Sequence, residues 1–277
     1  MCIICGCSDD AQVTLSDGSG THAHVLEDGT VIEHTHGHEH DHHHDHHHDH
    51  HHDHSHAPGP ASIEVLEQRV LAKNDQFAER NRAWCSGRKV LALNVMSSPG
   101  SGKTTLLERT LSQYDAPMSV VEGDQETELD AERLRATGAN VVQVNTGTGC
   151  HLEADMVWHG IQKIDPGFES VLFIENVGNL VCPALFDLGE TARVVLFSVT
   201  EGEDKPAKYP HMFRTADVVL MTKVDLLPYV PFDMDHAEQM VREVNPDAQI
   251  LRVSSTAEGG LKPWFAWMNA TRGQESS

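Results

Sequence analysis

The stretch "VLALNVMSSPGSGKTTLLERT", residues 90–110, decides the fold. A near-continuous apolar run leads into a glycine-rich turn and then into helically spaced leucines, as in a buried strand followed by a helix. Glycines let the backbone approach a ligand closely, and the N–H groups at a helix N-terminus favour phosphate. The turn therefore predicts a phosphate-binding loop. Its candidate nucleotide contacts are Gly100, Ser101, Gly102, Lys103, Thr104 and Thr105.

Two residues of this loop have predicted individual roles. Lys103 is expected to reach the β- and γ-phosphates of a nucleotide, and the hydroxyl of Thr104 to hold Mg²⁺. One position departs from the full G-x-x-x-x-G-K-[ST] pattern, because Ser97 stands where the first glycine is usual. An ordinary glycine-rich turn is the alternative, but the strand before it, the helix after it and the G-K-T together favour phosphate binding.

Residues 61–277 alternate short β-branched runs with amphipathic segments. This alternation indicates an α/β fold, with a mainly parallel sheet flanked by helices. Together with the loop it predicts a P-loop NTPase domain, opened by a helix with Ser62 as its N-cap. The predicted strands are VLALNV, MSVVEG, NVVQVN, SVLFIEN, RVVLFSV, DVVLMTK and AQILRVS.

Residues 1–60 differ in composition from the rest of the chain. They hold 17 of the 21 histidines and 11 acidic residues, and no lysine or arginine. From residue 8 onward no apolar periodicity is evident, so we predict a disordered tail. Imidazoles interleaved with carboxylates bind divalent cations, which predicts capacity for several metal ions. An expression tag is the alternative reading, and the aspartate interruptions argue against it.

Three of the six cysteines lie within the first seven residues, at Cys2, Cys5 and Cys7. Thiolates are soft ligands that suit nickel, zinc or copper(I). In a reducing compartment a C-x-x-C group more often binds metal or takes part in redox chemistry than forms a disulfide. We therefore expect a metal site at the tip of the tail, with incidental cysteines as the alternative.

The charge and hydropathy of the chain exclude several classes of partner. The formal net charge is −22, whereas nucleic-acid binding requires a basic face. The longest apolar runs fall far short of the ~20 residues that a membrane helix needs, and no secretory signal is visible. We expect a cytoplasmic protein that binds neither nucleic acid nor membrane.

Base recognition is predicted from "DVVLMTKVD", which ends a strand with T-K-x-D. The pattern is close to the N-K-x-D of guanine-binding proteins. The carboxylate of Asp225 could accept hydrogen bonds from the guanine N1–H and amino group, and the stem of Lys223 could cover the ring. Thr222 replaces the usual asparagine. Ser254 and Ser255 follow the next strand, where a second contact with the base is expected.

Two carboxylates follow strands and are candidates for catalysis beside Lys103. They are Asp124 in "VVEGDQET" and Glu175 in "LFIENVGN". Charge spreads over the γ-phosphate oxygens in the transition state, so Mg²⁺ ligands are needed nearby. Either residue could instead be a helix cap or a loop acid. Gly178 lies where a switch that senses the γ-phosphate could pivot.

A further candidate metal site lies in the predicted domain. "GCHLEADM" places Cys150 and His151 side by side in a glycine-rich loop, and Cys182 follows Glu175 by seven residues. A buried cysteine is more often a small hydrophobic residue, so Cys182 alone is a weak signal. The Cys-His pair in a polar loop favours metal.

The phosphate-binding loop, T-K-x-D, "EGDQET", "ENVGNLVCP", "GCH" and the terminal C-x-x-C-G-C together resemble the HypB-type nickel-incorporation GTPases of [NiFe]-hydrogenase maturation. The resemblance implies GTP, Mg²⁺, Ni²⁺ and Zn²⁺ as ligands, and a homodimer formed through the G domain. It implies a metal site at the dimer interface from Cys150, His151 and Cys182, and a tight nickel site at the terminal cysteines. The implied partners are HypA-type maturation factors and the hydrogenase large subunit.

Three functions are compatible with these motifs. The leading hypothesis is a GTP-hydrolysing metallochaperone that stores nickel and delivers it for hydrogenase maturation. A nickel and zinc storage and detoxification protein, with the G domain as a dimerisation scaffold, is the alternative, but a scaffold would not need an intact G-S-G-K-T. A small-molecule kinase is the third, and T-K-x-D and the lack of an evident substrate-binding insertion argue against it.

Overall fold

The structure, a computed structural model, describes most of the chain from residue 60 onward and three short segments before it. Side chains are described at 69–123, 129–147 and 149–273. The described backbone ranges are 13–16, 21–25, 31–35, 60–124, 129–147 and 149–275.

In the described part of the chain, ten strands form one sheet, in the order β10-β9-β8-β4-β7-β5-β6-β1-β2-β3. From β10 to β6 every neighbouring pair is parallel, and these are the seven strands that the sequence predicts. The strands are β1 Val13–Ser16, β2 Thr21–Val25, β3 Val31–Thr35, β4 Leu91–Ser97, β5 Met118–Asp124, β6 Asn140–Asn145, β7 Val171–Glu175, β8 Ala192–Ser198, β9 Val218–Thr222 and β10 Gln249–Arg252.

Helices cover both faces of the sheet, as the apolar strands require. On one face α2, α3 and α8 pack against alternate residues of β4, β5 and β7, including Val95, Val120 and Phe173. On the other face α1 and α4 pack against the intervening residues, including Leu172 and Ile174. The helices are α1 Pro60–Gly87, α2 Lys103–Gln113, α3 Leu129–Arg135, α4 Ala154–Ile164, α5 Lys205–Lys208, α6 Pro210–Arg214, α7 Met234–Val244 and α8 Lys262–Glu275.

The predicted start of α1 is wrong by three residues. The helix begins at Pro60, so Ser62 lies inside it rather than at its N-cap. Proline suits the first position of a helix, because the N–H that it lacks has no intrahelical acceptor there. No helix in the described ranges is both long enough and apolar enough to cross a membrane.

The prediction of a disordered tail is wrong for three segments. β1 pairs antiparallel with β6, β2 with β1, and β3 with β2. The edge of β6 offers unpaired backbone groups, and the β-branched residues of "VTLS" and "VIEHT" suit strands. One Asp-Gly pair lies between β1 and β2, and another lies between β2 and β3. Such pairs are typical of hairpins, and they are the sequence signal that was missed. The rest of the tail, with Cys2, Cys5 and Cys7, lies outside the described residues.

Candidate nucleotide and metal sites

The predicted phosphate-binding loop joins the end of β4 to the start of α2. Gly100 and Gly102 have φ of 76° and 97°, a left-handed conformation that side chains disfavour. Gly102 directly precedes α2, so the first N–H groups of the helix, which lack intrahelical acceptors, point toward the loop. The backbone thus has the form that the G-x-G-K-T pattern predicts.

Ser97, the departure from the usual pattern, contacts the loop lysine. Its buried hydroxyl accepts a hydrogen bond from Lys103 Nζ at 3.0 Å and donates to the carbonyl of Ser98 at 2.7 Å. A side chain at this position therefore fits the loop. Thr105 lies half-buried in the first turn of α2, where Arg133 Nη2 approaches its hydroxyl to 3.4 Å.

The candidate Mg²⁺ ligands come from two neighbouring parts of the sheet edge. Thr104 Oγ1 donates to Glu175 Oε1 at 3.0 Å, and both side chains are buried. Hydroxyl and carboxylate oxygens are ligands that Mg²⁺ prefers, so this pair fits the ion. Asp124 ends β5, the strand beside β7; its side chain lies outside the described residues.

Glu201 holds the phosphate-binding loop, and our sequence reasoning missed it. Its carboxylate accepts from Ser98 Oγ at 2.6 Å and from Ser101 Oγ at 2.8 Å, and it lies 3.3 Å from Lys205 Nζ. The available signal was its place after β8, because the carboxyl ends of parallel neighbours β4 and β8 meet at one edge.

The base-recognition segment is bonded to the same loop. Thr222 Oγ1 donates to the carbonyl of Ser101 at 2.9 Å, and Lys223 Nζ donates to the carbonyl of Gly100 at 2.7 Å. Lys223 itself has a left-handed φ of 60°. Thr222, in the place of the usual asparagine, therefore still joins the T-K-x-D segment to the phosphate-binding loop.

Asp225 is oriented by the loop after β10. Ser254 Oγ donates to one carboxylate oxygen and Thr256 Oγ1 to the other, the latter at 3.1 Å. The hydrogen bond from Ser254, with smaller help from Thr256 and Lys223, lowers the pKa of the Asp225 carboxyl from its ordinary value. Ser255 is half-buried on the same loop. The carboxylate is thus kept ionised and held in place, as guanine recognition requires.

The three ligands of the candidate metal site lie together. Cys150, His151 and Cys182 each have a ligand atom within 4.8 Å of those of the other two. Cys150 Sγ lies 3.7 Å from His151 Nδ1, a separation that suits two ligands of one ion with bonds of about 2.0–2.3 Å. Sequence alone left Cys182 open as a core residue; the geometry places its buried thiol beside the Cys-His pair.

His151 is in the protonation state that metal binding needs. Its ring is buried and stacks on Phe186 with ring centroids 4.1 Å apart. Burial lowers the pKa of the imidazole to about 4, so the ring is neutral at pH 7 and has a lone pair to offer. On the other side of the ring, Nε2 lies 3.8 Å from Glu153 Oε1.

A short segment connects the two sites. Glu175, which bonds Thr104, ends β7, and Cys182 follows in a 3-10 turn at Cys182–Ala184. Between them Gly178 lies against Pro99 of the phosphate-binding loop. The Oδ1 atom of Asn176 accepts from the backbone N–H of Leu152, next to His151, at 3.2 Å. Residues 175–182 thus contact both sites.

Known proteins resemble this chain in sequence and in fold. A family model described as the CobW/HypB/UreG nucleotide-binding domain matches residues 91–252, from the first residue of β4 to the last of β10. The hydrogenase maturation factor HypB of Azotobacter vinelandii is 51% identical over 221 residues, covering 78% of this chain and 73% of that protein. The chain belongs to the HypB family of hydrogenase maturation factors.

HypB relatives also match the tail and the fold. HypB of Cupriavidus necator is 40% identical over an alignment that covers 98% of this chain and 88% of that protein. The structure of Helicobacter pylori HypB in complex with nickel is 38% identical, with a TM-score of 0.69 over 73% of this chain and 96% of that one. HypB from Archaeoglobus fulgidus gives a TM-score of 0.68 at 38% identity, covering 73% of this chain and 100% of that one. The fold is that of the P-loop GTPases of the HypB family.

Proposed function

We propose that this protein hydrolyses GTP and uses the nucleotide state to control the delivery of nickel for the maturation of [NiFe]-hydrogenase. The observation that carries the proposal is the segment 175–182. It begins at a carboxylate bonded to Thr104 of the phosphate-binding loop and ends at Cys182 in the metal-ligand cluster. A change at the γ-phosphate would therefore alter the geometry of the metal ligands.

The nucleotide chemistry needs few protein groups, because phosphoryl transfer depends on positioning and charge stabilisation. Lys103 neutralises charge on the β- and γ-phosphates, and the backbone of residues 100–104 encloses them. Asp225, held by two hydroxyl donors, selects guanine. Thr104, Glu175 and Asp124 would hold Mg²⁺, which supplies positive charge at the phosphate oxygens.

Nickel is the cargo rather than a resident cofactor. The mixed thiolate and imidazole set of Cys150, His151 and Cys182 suits Ni²⁺ or Zn²⁺. The H. pylori relative was solved in complex with nickel, which supports nickel over zinc as the transferred ion. We propose that GTP and GDP states of the G domain bind this ion with different affinity, and that a homodimer formed through the G domain couples the sites of two copies.

The tail would supply the cargo. Its histidines are a store of labile ions, and Cys2, Cys5 and Cys7 would form a tighter thiolate site at the tip. The partners that fit this role are a HypA-type maturation factor and the hydrogenase large subunit, because the relatives are named as hydrogenase maturation factors.

Turnover and metal release measured together test the proposal. The full chain loaded with nickel is mixed with Mg²⁺ and either GTP or ATP, and phosphate release and nickel transfer to a chelator are followed. We expect slow turnover of GTP and a GTP-dependent change in nickel transfer. Equal turnover of ATP would contradict guanine selection by Asp225. Nickel transfer that ignores nucleotide would favour the storage protein with a scaffold domain.

A further inference from the structure

Helix α1 carries a buried asparagine that contacts both metal-bearing loops. Asn74 Oδ1 accepts a hydrogen bond from the N–H of Ala154 at 2.8 Å, and Asn74 Nδ2 donates to the carbonyl of Asp187 at 2.7 Å. Ala154 follows His151 by three residues, and Asp187 follows Cys182 by five. One amide therefore joins the segment that carries the Cys-His pair to the segment that carries the second cysteine.

A second buried asparagine repeats the connection two turns further along the helix. Asn81 Nδ2 donates to the carbonyl of Ala154 at 2.7 Å and to the carbonyl of Leu188 at 2.9 Å. Asn74 and Asn81 are 4% and 1% exposed. Each therefore makes its hydrogen bonds where water offers little replacement.

The segment after Cys182 is pressed against the same helix. Gly189 has a φ of 81°, and a Cβ atom there would overlap the carbonyl of Ala78 and lie 2.8 Å from the backbone nitrogen of Arg82. The guanidinium of Arg82 contacts both carboxylate oxygens of Asp187 at 2.7 Å. Backbone packing and an ion pair thus hold this segment beside the two asparagines.

A carboxylate beside the Asn74 contact lies near the histidine. The N-cap residue of α4, Glu153, makes no capping hydrogen bond with its side chain. The carboxylate of Glu153 is left 3.8 Å from His151 Nε2, on the opposite side of the ring from Cys150.

We propose that Asn74 and Asn81 are positioning residues of the metal site: from α1 they hold the Cys150–His151 loop and the Cys182 loop at the spacing that one ion requires. This inference rests on the proposed metal function of the three ligands. None of the three ligands lies on the helix itself. Groups that are hydrogen-bonded directly to metal ligands typically change metal affinity by about 10–100-fold when they are removed. Asn74 and Asn81 bond the backbone beside the ligands, so we expect the lower end of that range.

The test uses the full chain with Cys2→Ala, Cys5→Ala and Cys7→Ala. Nickel is titrated at free concentrations set by a chelator buffer, and the sulfur-to-nickel charge-transfer absorption is recorded. The histidine tract adds nickel capacity but no thiolate signal, so the band reports the Cys150–Cys182 site. We expect Asn74→Ala and Asn81→Ala each to weaken this site by about tenfold and to shift the band, with GTP affinity unchanged.

A matched control comes from Asn245, a buried asparagine that serves a different segment. Its amide donates to the carbonyls of Phe213, Arg214 and Ala216 at 2.9–3.1 Å. Asn245→Ala removes hydrogen bonds of the same kind, so we expect lower thermal stability with an unshifted band. Gln76→Ala, at an exposed position of α1, should change neither the thermal stability nor the band. An equal loss of nickel in Asn245→Ala and Asn74→Ala would show general destabilisation and overturn the positioning role.

Two further variants separate the possible failures. Asn74→Asp keeps the acceptor for Ala154 and loses the donor to Asp187, so it tests the role if Asn74→Ala does not fold; we expect an intermediate loss of affinity. Cys182→Ser should remove most of the band. If it does not, the metal site itself, and with it the proposed function, is refuted. If both Asn74 variants bind nickel as tightly as the parent chain while the band still depends on Cys182, the positioning role alone is overturned.

Discussion

The phosphate-binding loop and the metal-ligand cluster lie at the same edge of the sheet, but they are held in different ways. The loop is set mainly by its own residues, because two glycines with positive φ and the start of α2 shape it within a few positions. The cluster joins residues 32 positions apart, and the loops that carry them are hydrogen-bonded to α1, which carries none of the three ligands. Distant changes should therefore disturb metal binding far more readily than nucleotide binding.

Lys103→Ala should give the largest effect, and it should be confined to the nucleotide side. The lysine amine lies in the loop, where it bonds Ser97, and we propose that it neutralises the β- and γ-phosphates. We expect GTP hydrolysis to fall by about 100-fold or more, measured as phosphate release at saturating GTP. Nickel affinity of the cluster without nucleotide should stay unchanged. A parallel loss of nickel would show that the two regions are not separately held.

Cys182→Ala should remove the coupling between the regions while both remain folded. The residue ends the segment that begins at Glu175. Of the three ligands, it is therefore the one joined by this segment to the nucleotide site. Couplings of this kind are typically ~1–3 kcal/mol and are reciprocal. We expect nickel affinities in the GTP and GDP states to differ in the parent chain and to become equal in the variant, with GTP affinity retained.

The parent chain for this measurement is again the variant with Cys2→Ala, Cys5→Ala and Cys7→Ala. If the nickel isotherms of the parent chain already coincide in the GTP and GDP states, the case for a nucleotide-gated site is removed. The same conclusion follows if Cys182→Ala keeps the difference between the two states.

The contrast between the regions also explains what the sequence could predict. The seven parallel strands and the phosphate-binding loop were predicted because buried strands, helices and glycine turns leave local patterns. The closeness of Cys182 to His151 was only a hypothesis, because it arises from topology rather than spacing.

Some parts of the site left almost no local signal. Asn74 and Asn81 were missed altogether: an asparagine inside a helix resembles an ordinary polar residue, and its partners lie 73 to 113 positions away. Strand β1 was missed for a related reason, since its partner β6 lies more than a hundred positions further on. Strands β2 and β3 pair locally, and there the Asp-Gly signal was overlooked.

Glu201→Gln should produce a smaller effect and refine the comparison. The loop is not held only from within, since this carboxylate accepts from Ser98 and Ser101 and pairs with Lys205. An amide can keep one acceptor but loses the charge, and hydrogen bonds to charged groups contribute about 1.5–3 kcal/mol. Because Glu201 is partly exposed, we expect the lower end, roughly a tenfold loss of GDP affinity by titration calorimetry. Glu132→Gln, at an exposed position of α3, is the matched control and should have no effect.

Ser254→Ala should give the smallest effect, and it should depend on pH. The hydroxyl of Ser254 donates to Asp225 and is the main reason that the pKa of this carboxyl lies below its ordinary value of 3.8. A lowered pKa means that the carboxylate stays ionised, and guanine recognition stays intact, until the pH falls through that lowered value. GDP affinity in the parent should therefore be flat, as far as Asp225 is concerned, from pH 7 down to about pH 5.

In Ser254→Ala the pKa of Asp225 rises toward the ordinary value, so protonation begins at a higher pH and the acid-side loss of GDP affinity moves upward. At pH 7 the variant should lose only a few-fold in affinity, because Thr256 still donates to the other carboxylate oxygen. The measurement is GDP affinity from about pH 3 to about pH 7, a range that includes the ordinary pKa of 3.8, with Ser255→Ala as the neighbouring control. Identical pH profiles for the parent and Ser254→Ala would mean that the serine does not govern the charge of Asp225. A large loss of GDP affinity at pH 7 would mean instead that the position of Asp225 depends chiefly on the hydrogen bond from Ser254.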